Sequence, residues 1–192
     1  MENVTIKSKE TLSKWKHELH KIKFERTRKD GGIQSQEREV YDHGNAVAAL
    51  LYNKQKGTVL LTRQFRLPAW LNEGDGMLLE ACAGLVEKGE EPEETMKREI
   101  REEMGYEVSS LQKILEVYSS PGSLKELLIL FIGEYSKDQK VEEGGGLKEE
   151  GEDIEVIELP IEHVFEMAST GKIKDAKTVL LIQWMHQMGM MQ

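Results

Sequence analysis

Two apolar runs, residues 46–52 and 58–62, flank the polar stretch Asn53-Lys54-Gln55-Lys56-Gly57. Uninterrupted runs of that length predict strands buried on both faces and joined as a hairpin. Upstream the pattern changes. Residues 12–40 are polar with loose alternation, as in His17-Glu18-Leu19-His20-Lys21-Ile22-Lys23-Phe24, which predicts strands wet on one face. Lys29-Asp30-Gly31-Gly32 then reads as a hairpin turn, followed by a strand over 35–42. Further strands are predicted over 77–83 and 127–135. Between them lies a helix with Pro92 at an early position, Glu93 and Glu94 in the first turn, and Gly105 as a left-handed stop. Residues 136–153 are dominated by Lys, Glu and Gly around Gly144-Gly145-Gly146 and read as a long mobile acidic loop. A strand over 154–159 and a helix from Pro160 or Ile161 follow. A last helix spans about 175–188, with an apolar stripe of Leu181, Ile182, Met185 and Met188 and a stop at Gly189. No internal repeat interrupts this order.

A chain of 192 residues accommodates one domain, or one domain with a small extra lobe. The pattern divides it into an N-terminal β lobe, 1–43, and a main domain, 44–192. A net charge of −9 without a dense Lys/Arg run argues against a nucleic-acid polymer as partner. A small anion can still bind where a cation or a local Arg/Lys cluster offsets the charge. Cys82 is the only cysteine, which excludes an intrachain disulfide and points to a reducing, cytoplasmic setting, and nothing in the sequence resembles a zinc-ligand quartet. The polar first 16 residues lack the apolar core of a signal peptide, and no stretch approaches the roughly 20 apolar residues of a membrane span. A soluble protein without a membrane partner is expected.

Candidate chemistry concentrates in the helix after Pro92. Glu99 and Glu103 are four residues apart and Glu102 is three from Glu99, so all three carboxylates share one side, while Met96 and Ile100 occupy a neighbouring face that can meet a sheet. Stacked like charges repel unless the face is solvated or organised around a cation. A solvated acidic face is the ordinary reading of a Glu-rich helix. If a cation is bound, carboxylate oxygens without soft ligands suit Mg²⁺, or Mn²⁺ in its place, and Mg²⁺ is commonly shared with substrate phosphates.

The wider spacing decides between them. Gly84, five residues, Glu90, seven residues, then Arg98-Glu99-Ile100-Arg101-Glu102-Glu103-Met104-Gly105-Tyr106 resembles the Nudix box, with every defined position filled. The resemblance implies an α/β (α+β) fold in which a mixed β-sheet lies between helices, with an N-terminal antiparallel β extension. It also implies metal ligation by Glu99 and Glu103, supported by Glu102 and by the carbonyl of Ala83, with Arg98 and Glu90 paired as structural partners.

Beyond the box, the segments Arg38-Glu39-Val40-Tyr41-Asp42-His43-Gly44-Asn45, Arg63-Gln64-Phe65-Arg66, Ser120-Pro121-Gly122 and Asp175-Ala176-Lys177-Thr178 resemble the GDP-mannose-hydrolysing branch of that family, close to the ADP-ribose pyrophosphatases. That branch implies an intertwined homodimer with exchanged N-terminal strands, in which Arg38 and Glu39 reach the partner's nucleotide. Arg66 and Lys177 would meet phosphates, Trp15 would stack on the base, and Glu126 would touch metal or substrate. A general base is needed because the attacking water must lose a proton. By its distance from the strand at 154–156, Glu152 matches the family's loop carboxylate and joins Glu99 and Glu103 as a catalytic and metal residue; Glu149 and Glu150 remain alternatives. The expected reaction converts GDP-mannose to GMP and mannose 1-phosphate. ADP-ribose is the competing substrate, and a nucleotide-binding sensor without catalysis is the competing class.

Overall fold

The computed structural model describes residues 3–190, without the side chain of Glu150. The chain divides into two compact units, one formed by residues up to Asn45 together with Tyr118–Leu127, the other by Ala46–Val117 and the residues from Leu128 onward.

In the first unit, β1 (Val4–Lys14), β2 (Glu18–Thr27) and β3 (Ile33–Asp42) form an antiparallel sheet, and the two-residue β9 (Leu124–Lys125) adds to β3 in parallel. The turn at Asp30-Gly31 joins β2 to β3, with Gly31 at φ 83° and the Asp30 carboxylate accepting from the Gly32 amide at 3.0 Å. β1 lies mostly ahead of the stretch whose alternation predicts strands. It carries no inward apolar row, and every one of its residues is exposed. The segment 118–127, not assigned from the pattern to this lobe, returns to it through Asn45, whose side chain accepts from the Leu127 amide at 3.1 Å.

In the second unit, β4 (Ala46–Asn53), β5 (Thr58–Phe65), β10 (Leu127–Glu134), β8 (Gln112–Tyr118) and β11 (Glu155–Pro160) lie in the order β11-β5-β4-β10-β8. β10 runs parallel to β4 and β11 antiparallel to β5, so the sheet is mixed. Alternate residues of β4 supply two cores. Ala46, Ala48 and Leu50 pack with α3 (Ile161–Ser169) and α4 (Ala176–Gln187) through Val164, Leu181, Ile182 and Met185. Val47, Ala49 and Leu51 pack with α2 (Pro92–Glu99) and the turn after it through Met96, Ile100 and Met104. Burial on both faces is why the β4 run lacks alternation.

Four local expectations are corrected. The run at 77–83 is two strands, β6 (Met77–Glu80) on β5 and β7 (Cys82–Leu85) on β4. The chain changes partner at Ala81, whose amide donates instead to the Thr178 hydroxyl at 2.6 Å. A short helix, α1 (Leu67–Glu73), follows β5. It buries none of its residues and so leaves no core-facing period to detect. Met188 lies one residue past α4 and is exposed, because the apolar stripe ends at Met185. The strand β8 has no apolar run to predict it, its central residues being only half-buried. No helix among the described residues is long and apolar enough to cross a membrane.

Candidate active site

The helix that carries the acidic side chains is not uniform. α2 is regular from Pro92 to Glu99, with Pro92 in its first turn, then widens into a single π-helical turn over Ile100–Met104 before Gly105 ends it at φ 79°. Such wide turns are rare and recur at functional sites. Here the widening redistributes the three carboxylates that even α-helical spacing would place together. Glu103 is turned inward, 2 % exposed, with its Oε2 3.3 Å from the Ala83 amide. Glu99 lies against Gly84, so closely that a Cβ there would sit 2.1 Å from the carboxyl carbon. Glu102 turns to Arg98 instead, accepting from Nη1 at 2.9 Å.

Arg98 ties this end of the site together. Its Nη1 also reaches Glu99 Oε1 at 3.0 Å, and its Nε donates to Glu90 Oε1 at 3.3 Å. Despite that guanidinium, burial pushes the Glu99 carboxyl up to about 7, and the charges of Glu102 and Glu152 push the same way. Burial pushes Glu103 up to about 7 as well, reinforced by Glu99 and Glu152. Both shifts have one cause: carboxylates crowded in a dry setting with too little positive charge nearby. Among the described residues, no three acidic, His or Cys side chains are already gathered as a metal cage. The chemistry of the donors carries the fit: hard oxygens, two of them costly to ionise unless a cation is supplied.

The acidic loop is fastened rather than free. Gly144, Gly145 and Gly146 all have positive φ, and the amides of Gly145 and Gly146 donate to the carbonyls of Glu103 and Glu102 at 2.8 and 3.1 Å. Orphan carbonyls at the end of the acidic helix are thereby satisfied. Only glycine tolerates the approach: a Cβ on Gly144 would meet the Glu103 carbonyl oxygen at 2.6 Å, and one on Gly146 would meet Glu152 Oε2 at 2.5 Å. Glu152 is half-buried, accepts from the Leu147 amide at 2.8 Å, and lies close enough to raise the carboxyls of both Glu99 and Glu103. Glu149 is exposed in a short 3-10 turn, while the Glu150 side chain lies outside the described residues.

Arg66 and Lys177 occupy one cluster. Arg66 donates from Nε and Nη2 to the two oxygens of Glu80, each at 2.9 Å, and Lys177 Nζ donates to Glu80 Oε2 at 2.8 Å and Asp175 Oδ1 at 2.9 Å. Desolvation opposes ionisation of Glu80, but the two cations win and hold its carboxyl below the usual range. Asp175 also caps α4, accepting from the Thr178 amide at 3.0 Å. Sequence reasoning missed Glu80 and Asp175. The available signal for Glu80 was a lone charge inside Met77-Leu78-Leu79-Glu80-Ala81-Cys82, a run otherwise apolar.

The remaining candidates belong to the first unit. Trp15 is 92 % exposed between β1 and β2. Arg38 and Glu39 are exposed on β3, with Arg38 Nη1 donating to the Glu37 carbonyl at 2.7 Å. Glu126 accepts a hydrogen bond from the Ser119 hydroxyl. Thus Ala83, Glu99, Glu102, Glu103, Glu152, Arg66 and Lys177 share the second unit, whereas Trp15, Arg38, Glu39 and Glu126 do not.

Comparison with known proteins identifies the family. The NUDIX domain profile matches residues 42–181. The chain belongs to the Nudix family. A second profile, the GDP-mannose pyrophosphatase NudK N-terminal domain, matches residues 3–41. Two relatives called GDP-mannose pyrophosphatase, from Escherichia coli O1:K1 and Escherichia coli strain K12, are each 46 % identical to this Nudix chain. The first alignment covers 99 % of this chain and 98 % of the relative, the second 96 % and 95 %. A solved structure titled as an ADP compounds hydrolase shares the Nudix fold, with TM-score 0.70 over 97 % of this chain and 96 % of that one at 18 % identity.

Proposed function

We propose that this chain is a Mg²⁺-dependent pyrophosphatase of nucleotide sugars, converting GDP-mannose to GMP and mannose 1-phosphate. The observation that carries the reading is the pair of carboxylates, buried Glu103 and half-buried Glu99, crowded against β7 at Ala83 and Gly84 with Glu152 beside them. Glu99, Glu103 and Glu152, with the Ala83 carbonyl and support from Glu102, would hold the cation. Bound there, Mg²⁺ or Mn²⁺ would neutralise pyrophosphate charge and lower the pKa of a water. In hydrolysis the water oxygen forms a bond to one phosphorus, the bond from that phosphorus to the bridging oxygen breaks, and the other phosphate leaves with the electron pair. Glu152 is the base that accepts the proton, since it is the loop carboxylate fastened next to that pair. Arg66 and Lys177 bind the pyrophosphate oxygens as hydrogen-bond donors, in the ground state as in the transition state.

Guanine and mannose as specificity elements rest on the named relatives, which match the N-terminal lobe as well as the Nudix domain. Exposed apolar residues on β1, Val4, Ile6 and Leu12, support a homodimer in which these strands are exchanged and Trp15, Arg38 and Glu39 reach the partner's site. The cytoplasm is the compartment that suits the buried free thiol of Cys82. A hydrolysis screen over nucleotide sugars, ADP-ribose and dinucleoside polyphosphates, with Mg²⁺ or with chelator and products read by mass, tests the reading. The expected result is a kcat/KM for GDP-mannose above that for ADP-ribose, abolished by chelator. Absence of any nucleoside monophosphate with Mg²⁺ present overturns it in favour of a nucleotide sensor.

A further inference from the structure

Arg66 and Lys177 approach the site from different elements, one at the end of β5 and one in the first turn of α4, yet they meet on a single carboxylate. We infer that Glu80 is a positioning residue: it holds the two cations as one preset pair for a pyrophosphate, an inference that rests on the hydrolase reading above.

The cluster is neutral as a whole, two carboxylates, Glu80 and Asp175, against two cations, but its geometry is uneven: Glu80, 2 % exposed, takes both cations, while Asp175 takes only Lys177. The guanidinium spends Nε and Nη2 on Glu80, and among the described residues its Nη1 has no hydrogen-bond acceptor. Lys177 spends two of its three donors, on Glu80 and Asp175. Each cation therefore keeps donor capacity while its position is already set, and the Arg66 side chain remains 41 % exposed. Free Arg and Lys side chains sample many rotamers, so fixing them before a ligand arrives lowers the cost of using them.

The anchor itself is rigid. Glu80 pairs with Thr62 across the β5–β6 ladder. The amide of the next residue, Ala81, donates to the Thr178 hydroxyl, which in turn donates to Asp175 Oδ2 at 2.5 Å, so hydrogen bonds tie the strand to the cap of α4. Arg66 also lies within the field of Glu103, which puts the pair near that buried carboxylate. A Gln at position 80 could accept from one cation but would turn an N–H toward the other.

The test uses the full chain with Mg²⁺ and GDP-mannose, comparing wild type, Glu80→Gln and Glu80→Asp by steady-state kinetics and thermal melting. The expected outcome for folded Glu80→Gln is a KM at least tenfold higher with kcat changed less than threefold. Glu80→Asp keeps the charge but is one methylene shorter, and should recover part of the KM. Unchanged KM in folded Glu80→Gln overturns the positioning role. If Glu80→Gln does not fold, Glu80→Asp decides by the same criterion, and loss of folding in both makes Glu80 a stabilising residue only. A wild type with no activity toward any phosphoanhydride overturns the hydrolase reading instead, whatever the variants do.

Discussion

Gly84 is a sharp place to separate catalysis from stability. Its φ is not in the left-handed region, so the backbone accepts alanine. The obstacle is Glu99: a Cβ at position 84 would lie 2.1 Å from Glu99 Cδ and Oε1 and 2.4 Å from Cγ, where ordinary contact begins at 3.4 Å. The carboxylate must therefore move by about 1.3 Å, the difference between ordinary contact and the closest approach. The displaced atoms end a flexible side chain, so Gly84→Ala should cost little stability, on the order of 1 kcal/mol. A shift of that size in a positioned group is associated with roughly 100-fold loss of rate, or about 2.7 kcal/mol in the barrier. The assay is kcat at saturating GDP-mannose across a Mg²⁺ titration, with melting temperature measured in parallel. We expect a folded protein, kcat down about 100-fold and a higher Mg²⁺ requirement. A folded Gly84→Ala protein whose kcat is within about threefold of wild type would show that the position of Glu99 does not matter.

Three further outcomes follow from the same geometry. Glu103 is held above its unfolded pKa, so with chelator present its neutral form contributes stability that is complete below pH 4.5 and lost as pH rises through about 7. Melting temperature in EDTA should fall between pH 5 and pH 8, by the equivalent of a few kcal/mol at most, less in Glu103→Gln and less again for wild type in saturating Mg²⁺; an identical fall in wild type and Glu103→Gln in EDTA refutes this. Gly144→Ala puts a Cβ 2.6 Å from the Glu103 carbonyl oxygen at a φ of 77°, and should both destabilise the protein by about 1–3 kcal/mol and reduce kcat by loosening the segment that carries Glu152, as melting and steady-state kinetics will read. Thr178→Val leaves the buried Ala81 amide without its 2.6 Å acceptor, at a cost of roughly 1–3 kcal/mol measurable by denaturant unfolding.

The acidic helix, its Pro92 start and its Gly105 stop were readable because each depends on residues within one or two turns. The buried strands β4 and β10 were readable for a similar reason, their apolar runs being unbroken. β1 and α1 were not: neither buries a side chain, so neither imposes a period on the sequence. The break at Ala81 was invisible because it depends on a hydroxyl 97 residues away.

Sequence by itself determined which donor atoms are available: hard carboxylates at fixed spacing on one helix and, singled out as candidates by the family resemblance, a loop carboxylate at 152 and cations at 66 and 177. Residue type sets what an atom can donate or accept, and local spacing sets which neighbours share a helical face. Tertiary structure decided how those groups are divided. It turned Glu103 inward, pinned Gly145 and Gly146 onto the end of the helix, and brought Arg66 and Lys177 onto Glu80. Those outcomes depend on burial and on hydrogen bonds between residues remote in the chain, and a carboxylate's partner and pKa are set by what surrounds it in space.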